Sequence, residues 1–323
     1  MASPEAASII DAHHHLWAPD TDPMGVGWTW LRRPGPRAFG DPGPIRRDYL
    51  LDEFRAEPAP SRLAGSVHVQ SDNALPDPVR ETRFVQALSD TASFPMAVVG
   101  FADLSRPDAA ETLARHAAHQ AFRGVRQILS RDDADPRRSY AARHHLRDGL
   151  WRERFGLLAA MGLSFDLQLL PAQMIEAARV LEEHPDVPVA LDHLGSPETK
   201  GGDDGPWREG MAALAALPWV HVKLSGYGMT FGARPGERAR RLTAEALRLF
   251  GPGRAMFGSN FPVDKLWLGY RQALDLVSAC CPDLEARAAV LGGTARAFYR
   301  LPPQHGRGDH AAEHDRAASR TGI

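Results

Sequence analysis

Cysteine is scarce: two in 323 residues, adjacent at Cys280 and Cys281 near the end of a helical stretch. Adjacent residues close a disulfide only in a strained ring, so both are read as reduced thiols, the state expected in the cytosol. No run of about 18 apolar residues is present, which excludes an ordinary membrane-spanning helix. The opening MASPEAASIID lacks the basic-then-apolar pattern of a secretory signal. A cytoplasmic location is the expectation. Charge of one sign is lacking too, since 38 Lys and Arg against 40 Asp and Glu leave a formal net charge of -2. A nucleic acid or an anionic membrane would call for a strong basic excess. The expected partner is a small molecule, with a homo-oligomer allowed. Finally, no glycine-rich phosphate loop follows an early strand, which argues against an open doubly wound nucleotide-binding sheet.

What is there fits one large soluble domain. With 43% hydrophobic and 24% charged residues, the chain can bury a substantial core. Eight short apolar, β-branched runs alternate with amphipathic stretches of helical period. They are SIIDAHHH (8–15), LAGSVHVQ (63–70), AVVGFADL (97–104), FRGVRQIL (122–129), SFDLQLL (164–170), VPVALDHLG (187–195), HVKLSG (221–226) and AMFGSNF (255–261). Eight strands, mostly followed by helices, read as a closed (β/α)8 barrel spanning residues 1–302. The polar, aperiodic 303–323 is expected to be an unstructured tail. Residues 16–61 are a long connection after the first strand and are expected to lie over the barrel mouth. There Trp17, Trp28 and Trp30 would line a pocket and Arg32, Arg33 and Arg37 would attract an anion.

Chemistry in such barrels collects at the C-terminal strand ends. Those ends carry His13 and His15, Gln70, Asp103, Arg126 and Gln127, Asp166 and Gln168, Asp192 and His193, Lys223, and Asn260. Strand side chains alternate in direction, so His13 and His15 face the same way and can share one metal ion, while His14 faces the other. His193, from the opposite wall, completes a three-histidine set of the kind that binds zinc or a similar divalent ion. His68, His116, His119, His144, His145, His184 and His221 are read as solvated or core histidines. Arg126 and Lys223 interrupt apolar strands, where an unpaired charge is costly. They either pair with Asp103, Asp166 or Asp192 or hold a substrate anion.

The segments IIDAHHHLW, GVRQIL, LSFDLQLLPAQM, VALDHLGSP, VKLSG and MFGSNFPVDKL together resemble the amidohydrolase-related family of metal-dependent barrel hydrolases. The resemblance is to the branch that includes sugar-acid lactonases and the lactonase of 2-pyrone-4,6-dicarboxylate, and it covers residues 8–300. It implies that Asp11, His13 and His15 form the D-x-H-x-H signature of a metal or oxyanion site, joined by His193. It also implies an aspartate at the end of strand eight that activates water. Here that position is Asn260, and the glutamate expected at the end of strand two is Gln70. An amide cannot take a proton from water, so Asp264 or a histidine becomes the candidate base.

These observations lead to a hydrolase opening a cyclic ester of a carboxylated or polyhydroxylated small molecule, using a divalent metal, zinc first, or none. The expected catalytic residues are His13, His15, His193, Asn260 and Asp264. The expected substrate contacts are Arg126, Lys223, Gln70, Gln168, Trp17, Trp28 and Trp30. A decarboxylase or lyase acting on an aromatic or polyketide-like acid is the alternative, and a catalytically silent small-molecule-binding barrel is the second.

Overall fold

A computed structural model of the chain describes residues 8–303, apart from 36, 38, 59–62, 200 and 201. Among these residues a parallel sheet runs β1 (Ile9–His14), β2 (Leu63–Val69), β3 (Met96–Gly100), β4 (Phe122–Ile128), β5 (Ser164–Gln168), β6 (Val189–Leu191), β7 (Val220–Leu224) and β8 (Ala255–Phe257) in sequence order. The sheet closes on itself where His14 bridges Phe261, with His15 N donating to Phe261 O and Asn260 N to His13 O, each at 2.7 Å. The expected tail lies, except for Pro303, outside the described residues. No helix among the described residues is long and apolar enough to cross a membrane.

The eight apolar runs are buried on both faces, as parallel strands covered by helices must be. Residues such as Val98, Phe165, Leu191 and Val222 face outward into the layer under the helices. Their alternates Ile10, Val67, Val99, Ala190 and Met256 fill the lumen and meet Phe298, Tyr299 and Leu301 from the C-terminal end of the chain. The helix Glu237–Phe250 shows how the pattern encodes packing. It buries Ala239, Leu242, Thr243, Ala246, Leu247 and Phe250, a single stripe at helical spacing, and ends where Gly251 takes a positive φ and donates to Leu247 O.

The described residues of the 16–61 connection are tied together rather than loose. A Trp17–Tyr49 bridge, a short helix at Thr29–Arg32 and another at Leu51–Ala56 fold it over the strand ends. Asp72, just past β2, pins it down by accepting from Thr29 Oγ1 at 2.7 Å and Trp30 N at 3.2 Å.

Candidate active site

The pairing of β1 with β2 slips by one residue between Asp11 and His14. Such a bulge re-aims side chains. His13 and His15 both turn into the mouth, their rings 5.2 Å apart. His14 turns out, bonding Ser66 Oγ at 2.9 Å and stacking on Phe54. Asp11 accepts from His13 N and Ser259 N, both at 3.0 Å, and so ties β1 to the end of β8. At that seam Gly258 is needed, because a Cβ there would lie 2.8 Å from His13 Cβ.

Beneath the histidines lies a buried charge layer. Lys223 Nζ binds Asp166 and reaches Asp192 Oδ1 at 3.3 Å. Tyr299 OH donates to the other Asp166 oxygen at 2.8 Å, and Arg126 approaches Asp192 Oδ2 at 3.6 Å. Two cations thus face two carboxylates. His13 Nδ1 is 3.2 Å from Asp192 Oδ1 and 3.4 Å from Lys223 Nζ; with the ring proton on Nδ1, toward the carboxylate, Nε2 carries the lone pair. That Nε2 is buried and has no hydrogen-bond partner. Burial, reinforced by Lys223 and His193, holds the His13 ring well below the usual histidine range.

His15 is fixed differently. Its Nδ1 donates to Val69 O at 2.7 Å, and its Nε2 faces Asn260 Oδ1 at 3.3 Å. Burial first, then Arg126, keeps this ring neutral by lowering its pKa well below normal. The Asn260 amide has its orientation set by Asp264, whose Oδ1 accepts from Asn260 Nδ2 at 2.9 Å. A carboxylate there leaves the amide oxygen toward His15. Asp264 also accepts from Gly228 N and Met229 N and is buried, which pushes its pKa up to about 7. Both oxygens are thus occupied behind Asn260, so Asp264 does not meet substrate as the free base that the sequence suggests. It holds Asn260 instead.

His193 sits in a turn of left-handed residues, itself at φ 55°, and Asn260 has φ 56°. Non-glycine residues in this region are strained, and such strain clusters at functional sites. His193 Nδ1 meets Ser225 Oγ at 3.1 Å, and its ring lies 4.4 Å from that of His13. Burial, with Arg126 and Lys223 adding to it, lowers its pKa to about 4.

A cavity of about 220 Å³ opens above these groups. His15, His193, Asn260, Arg126 and Gln168 form its polar side, and Trp17, Trp30, Phe39 and Tyr140 its aromatic side. Arg37 reaches this wall while donating to Trp30 O, whereas Arg32 is spent on Pro19 O and Asp22. Three expected contacts do not reach it. Trp28 is wholly buried, edge-on to Phe84. The Gln70 side chain turns to Asn73 Oδ1, and Lys223 lies in the charge layer below. Conversely, Asp72, Asn73, Phe39 and Tyr140 line the cavity and were missed. Asp72 and Asn73 stand two and three residues beyond a recognised strand end, so extending the strand-end rule by one turn would have found them.

A family model described as amidohydrolase matches residues 10–301. The chain belongs to the amidohydrolase family. As such it is a hydrolase. It is 35% identical over 303 residues to an uncharacterised protein, y4mH, of Sinorhizobium fredii, covering 91% of this chain and 99% of that one. It is 30% identical over 299 residues to an L-fucono-1,5-lactonase of Burkholderia ambifaria, covering 90% of this chain and 95% of the lactonase. Among solved structures, an amidohydrolase from Burkholderia multivorans with bound zinc superposes with a TM-score of 0.74 at 28% identity, over 92% of this chain and all of that one.

Whether this amidohydrolase can hold a divalent ion is tested by its own atoms. Among the described residues, donor atoms of His13, Asp192 and His193 lie within 4.8 Å of one another. The sequence reading has His15 in this set, and the three clustered donors here include Asp192. His13 Nε2, buried and without a hydrogen-bond partner, is the atom a cation would satisfy when the ring proton is on Nδ1. The residues fit the group.

Proposed function

We propose that this amidohydrolase opens the ring of a polyhydroxylated lactone. The observation that carries the reading is His15, a neutral imidazole at the cavity wall with an acceptor on each nitrogen, Val69 O and Asn260 Oδ1. With Nδ1 protonated, Nε2 carries the lone pair and is the atom of His15 that takes a proton from water. The imidazolium so formed has both N–H groups matched, one by Val69 O and one by Asn260 Oδ1. The base duty of the usual aspartate passes to His15, and Asn260 stabilises the product of the transfer. An ester needs less activation than an amide, so a histidine of lowered basicity suffices.

The other residues set out the substrate. When bound, a divalent ion supplies a Lewis acid that polarises the ester carbonyl, and His13, His193 and Asp192 would hold it. Gln168, fixed by Arg126 Nη1 at 2.9 Å, and Asn73 offer neutral hydrogen bonds to hydroxyl groups, and Trp17 and Trp30 offer flat apolar faces. Because Arg126 and Lys223 are already balanced by Asp166 and Asp192, neither is a surplus charge for a substrate carboxylate. The names of two relatives, L-fucono-1,5-lactonases at 30% and 32% identity, support this choice.

The test is base uptake at neutral pH against a panel of aldonolactones and pyrone lactones. Wild type is expected to open at least one aldonolactone, and His15→Ala to lose at least about 10²-fold in rate, the usual weight of a general base. His13→Ala and His193→Ala should be similarly impaired. Indistinguishable rates for wild type and all three variants on every lactone would sink the proposal, as would release of carbon dioxide without consumption of lactone.

A further inference from the structure

We infer that Lys223 is a positioning residue that limits the site's affinity for divalent metal, a fixed ammonium in the layer beneath the histidines. The inference rests on the reading that His13, Asp192 and His193 take a divalent ion. Lys223 is 0% exposed. Its Nζ lies 3.4 Å from His13 Nδ1 and 3.3 Å from Asp192 Oδ1, and it pairs with Asp166. It therefore touches two of the three residues that would hold the ion, from the side away from the cavity.

Charge counting gives the consequence. The layer holds Lys223 and Arg126 against Asp166 and Asp192, for a net charge of zero. The donors above it, His13 Nε2, His193 and Asn260 Oδ1, are all neutral. Asp192 is the one carboxylate among the three clustered donors, and both cations already draw on it. Within this layer an arriving ion thus meets no uncompensated negative charge, and it meets an ammonium one residue away in a medium that screens poorly. Tyr299 keeps the arrangement in place from the other end, its hydroxyl on Asp166 and its ring 5.3 Å from Nζ. Removing the Lys223 charge leaves the layer one unit negative and should strengthen metal binding. Removing the Asp166 charge leaves it one unit positive and should weaken it. A role confined to packing gives no reason for opposite signs.

The experiment is Zn²⁺ titration of chelator-stripped full-length protein against a chromophoric competitor. It compares wild type, Lys223→Met, Lys223→Gln, Asp166→Asn and the Lys223→Met/Asp166→Asn pair, each checked for folding by circular dichroism and thermal melting. Lys223→Gln keeps a donor for Asp166 without the charge and answers the question if Lys223→Met does not fold. Expected are at least tenfold tighter binding in the Lys223 variants, at least threefold weaker binding in Asp166→Asn, and a double variant within threefold of wild type. Binding in Lys223→Gln but none in wild type would uphold the role of Lys223 while removing the metal reading for the native chain. Equal affinities throughout, shifts of one sign in Lys223→Gln and Asp166→Asn, or no binding by any variant would overturn the inference.

Discussion

Asn260→Asp puts a second carboxylate 2.9 Å from Asp264, in the place of an amide nitrogen that now donates to it. Two unit charges at that separation repel by about 6 kcal/mol at an effective dielectric constant of 20. The pair avoids this by sharing a proton. Asp264 alone already holds its proton to about pH 7 because it is buried; beside a second carboxylate the shared proton should persist well above that. The sign follows from linkage. The folded pKa is raised above the unfolded value, so the folded state binds the extra proton, and stability is lost as pH rises toward the folded pKa. Between pH 7 and 9 the wild type, with Asp264 about half protonated at pH 7, has only about 0.4 kcal/mol left to lose, whereas Asn260→Asp should lose about 1.4 kcal/mol per pH unit, or roughly 2–3 kcal/mol in all. Urea unfolding of both proteins at pH 7, 8 and 9 measures the difference. Asn260→Asp/Asp264→Asn, which moves the carboxylate to position 260 without creating a pair, should recover the wild-type pH profile. Parallel profiles for wild type and Asn260→Asp would refute the placement of Asp264 against Asn260.

Three further outcomes are expected. His116 is buried, bonded to Thr82 Oγ1 and Phe101 O, and depressed to about 4; its contribution is present above the unfolded pKa of about 6.5 and is lost as pH falls. His116→Gln should therefore reduce the drop in urea-unfolding stability between pH 7 and 5 by about 2 kcal/mol. Trp28→Ala and Trp30→Ala should separate packing from recognition. The first costs about 3–5 kcal/mol of stability with KM little changed, and the second raises KM several-fold in steady-state assays with a smaller loss of stability. Gly226 has φ 75°, and a Cβ there would come 2.8 Å from His193 Cβ. Gly226→Ala should cut kcat/KM at least tenfold while the protein still melts cooperatively.

The barrel was legible because its strands are covered on both faces, which makes each of them a compact apolar run, and because the sequence between them carries helical stripes such as that of Glu237–Phe250. The direction of His13 and His15 was legible from strand alternation. The bulge between Asp11 and His14 was not, since it depends on which β2 residues stand opposite. Strand-end position also located Lys223 and Asp192, but not their depth. Only the closure of the barrel shows that Lys223 meets Asp166 and Asp192 below the cavity rather than a substrate above it. Trp28 and Trp30 are two residues apart on a loop without a period, so nothing local says that one enters the core and the other the pocket. The amide at the end of strand eight, Asn260, could be read directly from GSNFPVD. That Asp264 returns behind Asn260, holding its amide toward His15, depends on the turn that brings Gly228 and Met229 to the same carboxylate.

Isotope tracing of the reaction distinguishes attack of water on the ester carbonyl from its alternatives. The enzyme is incubated with an aldonolactone in ¹⁸O-water, and the product is analysed by mass spectrometry before and after fragmentation of its carboxyl group. Water activated by His15 and attacking the ester carbonyl predicts a product heavier by one water, with the label in the carboxylate and none in the released hydroxyl. Label in the hydroxyl, loss of carbon dioxide, or a wild-type rate no greater than that of His15→Ala would contradict the account.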